Sequence, residues 1–167
     1  FSLNFFDPIT EILSEYDAHK VFIEGDAIIL SIFERVETPS GWYSVARACG
    51  MAINMLMIIN RYNKKSQEYQ LPVLELGIGI CHRADTPTFL FDGENRIMIS
   101  PAINLADRLS GCSKSVRRII RKNISPFNLF VFQGVSDQEM KKTADDLLLR
   151  YNVNGIELNE AGFRKLA

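Results

Sequence analysis

Two residues, Gly25-Asp26, separate the β-type run 20–24 (KVFIE) from the longer apolar run 27–33 (AIILSIF). A two-residue connection of this kind between strand-forming runs predicts a tight hairpin. That constrains the rest of the chain, because a two-stranded hairpin is marginal alone and must pack against further strands or a helix. A helical pattern stands on each side of it. Upstream, 5–16 (FFDPITEILSEY) places Phe5, Phe6, Ile9, Ile12 and Leu13 at spacings of three and four, with Asp7 as N-cap and Pro8 at the first helical position. Downstream, 43–61 forms the longest helical pattern, and Ala46, Cys49, Ile53, Leu56 and Met57 are its expected buried stripe. Trp42 and Tyr43 are expected to pack at its start.

The remaining chain alternates between the two periods. Residues 36–42 are turn-forming, and 62–72 (YNKKSQEYQLP) read as a polar connection. An apolar β-type run covers 73–81 (VLELGIGIC), and short strands are expected at 88–91 and 96–99 around the turn Asp92-Gly93-Glu94-Asn95. Pro101 opens a helix over 101–110. A basic helix is expected at 114–122, a strand at 127–132, and a helix at 136–150 with Ser136 and Glu139 as a capping box. The tail carries a turn at Asn152-Val153-Asn154-Gly155 and a last short helical patch. Helices interleaved with short strands predict an α+β or α/β chain with helices packed on a mostly antiparallel sheet.

One domain accommodates all 167 residues, and a chain of this length buries about two thirds of its unfolded surface, so it needs neither metal nor disulfide to fold. With 47% hydrophobic and 23% charged residues the composition is globular, which excludes disordered, collagenous and disulfide-scaffold classes. Nineteen basic against twenty acidic residues leave a formal net charge of −1, so no bulk attraction to nucleic acid or anionic membrane is expected. Cys49, Cys81 and Cys112 are sparse and odd in number, which fits a reducing compartment. His19 and His82 lie far apart and make no zinc spacing. The longest apolar run, 51–59, is too short to span a bilayer, and the N-terminus carries no signal peptide. The expected location is cytoplasmic. The chain begins with Phe1 rather than Met and reads as a piece of a longer protein.

Two places can carry chemistry. Asp26 sits at the hairpin tip, where a carboxylate on rigid backbone suits a hard cation such as Mg²⁺, although a turn aspartate is also a common backbone choice. Asn104 and Arg108 stand four residues apart in the expected helix 101–110 and so share a face, while Ile103, Ala106 and Leu109 pack it. An amide and a guanidinium so placed can bracket a phosphate or a developing oxyanion. A plain solvated face explains the same residues. Lys114, Arg117, Arg118, Arg121 and Lys122 form a basic face interleaved with Ile119 and Ile120, read as solvated or partner-binding. His82 beside Cys81 is a weaker candidate, with no acid or nucleophile next to it in sequence.

Taken together, GDAIILSIF at 25–33, LGIGI at 76–80 and AINLADRL at 102–109 resemble three blocks of class III nucleotidyl cyclase catalytic domains, in the family's order. The expected helices 5–16 and 43–61 also stand where that family has helices. The resemblance covers residues 3–135, and its specific parts are the Gly-Asp and Asn-x-x-x-Arg blocks. It implies an α+β fold with a ferredoxin-like βαββαβ core, whose first strand is not visible before residue 1. It further implies ATP or GTP as ligand and two Mg²⁺ or Mn²⁺ ions. Asp26 matches one metal ligand, Asn104 the nucleotide-positioning residue and Arg108 the residue that stabilises the transition state. Sites of this family form between two head-to-tail domains, which implies a homodimer or a related cyclase-like domain as partner.

The chain departs from the family pattern at several positions. The strand that carries the family's first metal aspartate is not visible before residue 1, and Asp7 lies too few residues before Asp26 to serve, so an active site would need that aspartate from upstream or from a partner chain. Phe22 stands at the base-selecting Lys position, with Lys20 two residues away, and Ile97 stands where an Asp or Thr is expected. Ser100 replaces the glycine before the helix, and 127–132 lacks the phosphate-binding Lys. Glu24-Gly25-Asp26 also resembles the hairpin of GGDEF-type diguanylate cyclases, but Ala27-Ile28 lacks the second acidic residue of that motif. Phe22 and Ile97 cannot hydrogen-bond a purine edge, and sites built on such bonds lose discrimination of roughly 10⁴-fold without them. The expected function is therefore a degenerate cyclase-like signalling domain, regulatory or dimerising, and the alternative is an active adenylate or guanylate cyclase.

Overall fold

The computed structural model describes residues 3–34, 43–111, 129–134, 153–158 and 160–166. Among them the order is α1 (Leu3–Leu13), β1 (Ala18–Glu24), β2 (Ala27–Ile32), α2 (Ser44–Glu68), β3 (Thr88–Asp92), β4 (Asn95–Ile99), α3 (Pro101–Ser110), β5 (Leu129–Gly134), β6 (Val153–Leu158) and α4 (Glu160–Leu166). This is an α+β chain. The strands pair as three two-stranded antiparallel sheets, β1 with β2, β3 with β4, and β5 with β6. Two compact units result. The first comprises Phe1–Leu76 and Ile80–Asn104, and the second Gly77–Gly79 and Leu105–Ala167. The expected elements at 36–42, 114–122 and 136–150 lie outside the described residues.

The first hairpin forms as expected, with Glu24 opposite Ala27 and Gly25 at φ 58°. A positive φ at the first central residue alone, filled by glycine, is the pattern of a type II′ turn. The register slips between Lys20, opposite Leu30, and Phe22, opposite Ile29, which makes Val21 the extra residue of a β-bulge. The second hairpin repeats the design, with Asp92 opposite Asn95 and Gly93 at φ 59°. Each tip thus places an acidic residue, Asp26 or Glu94, directly after its glycine.

Helix α1 starts earlier and ends earlier than 5–16. Asp7 is not its cap, and Pro8 lies inside it, where the missing N–H costs one intrahelical bond. The chain then turns through residues 14–17, and Asp17 takes φ 53°, a left-handed geometry that Asp tolerates better than most residues.

Helix α2 runs seven residues beyond 61, through the segment expected as a polar connection. Its Lys, Gln and Glu residues are sound helix formers, and polarity alone does not end a helix. The end is a Schellman motif. Leu71 N–H donates to Ser66 C=O at 2.8 Å, Gln70 N–H donates to Gln67 C=O at 3.1 Å, and Gln70 holds the left-handed position at φ 55°.

The buried stripe of α2 is also rotated from the expected one. Ser44, Arg47, Met51, Met55, Ile59 and Ser66 are buried, whereas Ala46 and Cys49 are exposed and Ile53, Leu56 and Met57 are half-buried. Helix α1 and strand β2 pack against α2, and Ile9, Ala18, Met51, Met55 and Ile59 form the apolar core of this first unit. Tyr43, expected to pack at the helix start, is 77% exposed.

The run 73–81 is not a strand. A β-type composition needs a neighbouring ladder, and the first part of this segment bonds to a side chain instead. Asn63 Nδ2 donates to Leu74 C=O at 2.9 Å, and Leu74 N–H donates to Asn63 Oδ1 at 2.8 Å. Within the second unit, Gly77 and Gly79 lie so close to α3 that a Cβ on either would collide with the carbonyl of Ser110 or Ala106. Further on, residues 153–155 of the expected turn are instead the start of β6, where Gly155 pairs with Phe132 and Asn154 with Gln133. The expected strand at 127–132 is β5, shifted to Leu129–Gly134, and the last helical patch is α4.

Candidate functional site

Helix α3 matches the expected span 101–110 residue for residue. Its start is set by Ser100, whose Oγ accepts the Ala102 N–H at 3.2 Å, with Pro101 at the first helical position. Serine at this point therefore supplies an N-cap where the cyclase pattern has glycine. Ile103, Ala106 and Leu109 are half-buried, whereas Asn104, Asp107 and Arg108 are exposed. Asn104 and Arg108 thus stand one turn apart on the open side of α3, as their spacing predicts.

Asp26 is exposed at the β1–β2 tip, and its position follows from the turn, since Gly25 bears the positive φ. Asp26 and Asn104 belong to the first compact unit and Arg108 to the second. Among the described residues, no hydrogen bond or ion pair joins Asp26 to Asn104 within the first unit. Nor, among the described residues, do three or more His, Cys, Asp or Glu side chains gather to hold a metal ion. Asp26 offers one carboxylate, a fraction of the oxygen set that a divalent ion takes.

The two positions that the resemblance assigns to base reading are apolar and open. Phe22 on β1 is 38% exposed and Ile97 on β4 is 47% exposed. Neither side chain donates or accepts a hydrogen bond. Lys20, two residues before Phe22, is exposed as well.

The segment around His82 does not assemble a nucleophile. Burial pushes the Cys81 thiol up, against a smaller opposing pull from Arg83, and a raised thiol carries less thiolate. Arg83 Nε donates to Asp85 Oδ1 at 2.8 Å, which lowers the Asp85 carboxyl and raises Arg83. His82 itself is exposed.

The most elaborate polar cluster is one the sequence did not single out. Arg47 is only 4% exposed, and its guanidinium reaches three oxygens among the described residues. Nη1 donates to Tyr16 C=O at 3.2 Å and to Asp17 Oδ2 at 3.3 Å, and Nη2 donates to Phe33 C=O at 2.5 Å. The α1–β1 turn, the end of β2 and the first turn of α2 are joined through this one side chain. Next to it, Glu34 Oε1 accepts both the Ser44 N–H at 3.1 Å and the Ser44 hydroxyl at 2.5 Å. A carboxylate from the end of β2 therefore caps α2, since Tyr43 at the N-cap position makes no side-chain bond.

Those two Ser44 bonds, then the Arg47 charge and a small effect of His82, hold the Glu34 carboxyl below its ordinary value. Tyr16 completes the group. Its hydroxyl oxygen accepts from Asn54 Nδ2 at 2.5 Å, and its ring lies where a Cβ on Gly50 would come within 2.9 Å. The signal for Arg47 is present in the sequence, because positions 44, 47, 51, 55 and 59 share one helical stripe. A charge on an otherwise apolar stripe calls for a buried partner.

No helix among the described residues is long and apolar enough to cross a membrane. The sequence matches no family model and no curated protein.

Proposed function

We propose that this chain is a degenerate class III cyclase-like signalling domain, regulatory or dimerising and without catalysis of its own. The observation that carries the reading is the contrast between two sets of exposed positions. Asp26, Asn104 and Arg108 retain the phosphate-side chemistry that the resemblance assigns, on an exposed hairpin tip and on one helix face. Phe22 and Ile97 replace the base-reading pair with side chains that cannot hydrogen-bond. A ferredoxin-like core and a second cyclase-like domain as partner belong to the same proposal. So does a location in the cytoplasm.

The retained residues keep an active adenylate or guanylate cyclase as the second reading, with Mg²⁺ or Mn²⁺ as its cofactor. In that reading Asn104 positions the nucleotide, and Arg108 stabilises charge as pyrophosphate leaves. The two readings separate in one assay. Cyclic nucleotide and pyrophosphate are measured from ATP and from GTP with Mn²⁺, at protein concentrations high enough to favour dimers. The regulatory reading expects no product. Product that disappears in Arg108→Ala overturns it in favour of the enzyme. Product that survives Arg108→Ala removes both the regulatory reading and the role given to Arg108.

A further inference from the structure

We draw no further inference here: the strongest candidate, the exposed face of the β3–β4 hairpin formed by Thr88, Leu90, Ile97 and Ile99, carries none because nothing in the structure shows what covers it.

Discussion

Arg47 Nη1 lies 3.3 Å from Asp17 Oδ2, which joins a cation on α2 that is 4% exposed to a carboxylate of the α1–β1 turn that is 38% exposed. The other oxygen of that carboxylate, Oδ1, is 3.7 Å from His19 Nε2. The pair is asymmetric. Water still reaches Asp17, whereas Arg47 depends on protein oxygens for its solvation. The cost of losing each partner differs accordingly.

Replacing Arg47 by methionine keeps a long side chain but removes every donor to Tyr16, Asp17 and Phe33. The expected loss of stability is about 3 kcal/mol, because the bound carbonyls lose a charge-assisted partner. Asp17→Asn, at the exposed end, is expected to cost less than half as much. Urea unfolding of the two variants checks the order, and equal losses would show that Arg47 is not the hub of the junction.

Glu34 makes this region sensitive to acid. Its folded-state carboxyl lies below the ordinary value of 4.5, chiefly through the two Ser44 bonds. Its contribution to stability is therefore complete above the unfolded value and is lost as pH falls through the lower, folded one. The stability difference between the natural chain and Glu34→Gln should be largest near neutral pH and shrink under acid. Asp85 titrates in both proteins and cancels from the comparison. Denaturant midpoints collected across the acid range give the answer, and a difference that grows on acidification contradicts the cap.

Gln70 occupies a left-handed position that glycine fills more easily. Gln70→Gly is expected to stabilise the chain by about 1 kcal/mol, the strain relieved less the extra freedom of unfolded glycine. For a chain of this size that corresponds to about 2–4 °C in Tm. Calorimetry that shows a lower Tm would mean the Gln70 side chain contributes a contact worth more than its backbone strain.

The proposed function predicts a gain as well as a silence. Phe22 and Ile97 are open enough that polar replacements displace little buried surface. The double variant Phe22→Lys, Ile97→Asp should bind ATP at least about tenfold more tightly, the effect of one well-placed polar contact. Equilibrium dialysis with labelled ATP measures it. An unchanged affinity would show that these two positions do not face a nucleotide.

Features whose chemistry is local were legible in the sequence. Gly25-Asp26 carries its own turn geometry, and Pro101 marks the first turn of a helix, so both the hairpin and α3 stand where expected. Asn104 and Arg108 share an open face because a four-residue spacing enforces it. Features that depend on a distant partner were not legible. The end of α2 was hidden because Gln70, rather than glycine, takes the left-handed turn. The run 73–81 looks like a strand by composition, yet Leu74 satisfies its backbone on Asn63. The stripe of α2 marks Arg47 as a charge in need of a partner, but its partners, Asp17 and the two carbonyls, show only once the fold is placed around it. The cap from Glu34 to Ser44 spans ten positions in sequence, beyond the reach of any short capping motif.

The paired bonds between Asn63 and Leu74 have a consequence for how this chain tolerates change. A side-chain amide presents one donor and one acceptor at fixed separation, and a residue in an extended segment offers its N–H and C=O to the same side. The amide therefore works as a gauge of the connection that leaves α2. Substitutions at the exposed positions 67, 68, 69 and 73 leave the gauge untouched while the count is kept. Inserting or deleting a single residue there brings Val73 or Glu75 to the gauge instead of Leu74. Length, more than composition, is what the Asn63 amide reads in this stretch.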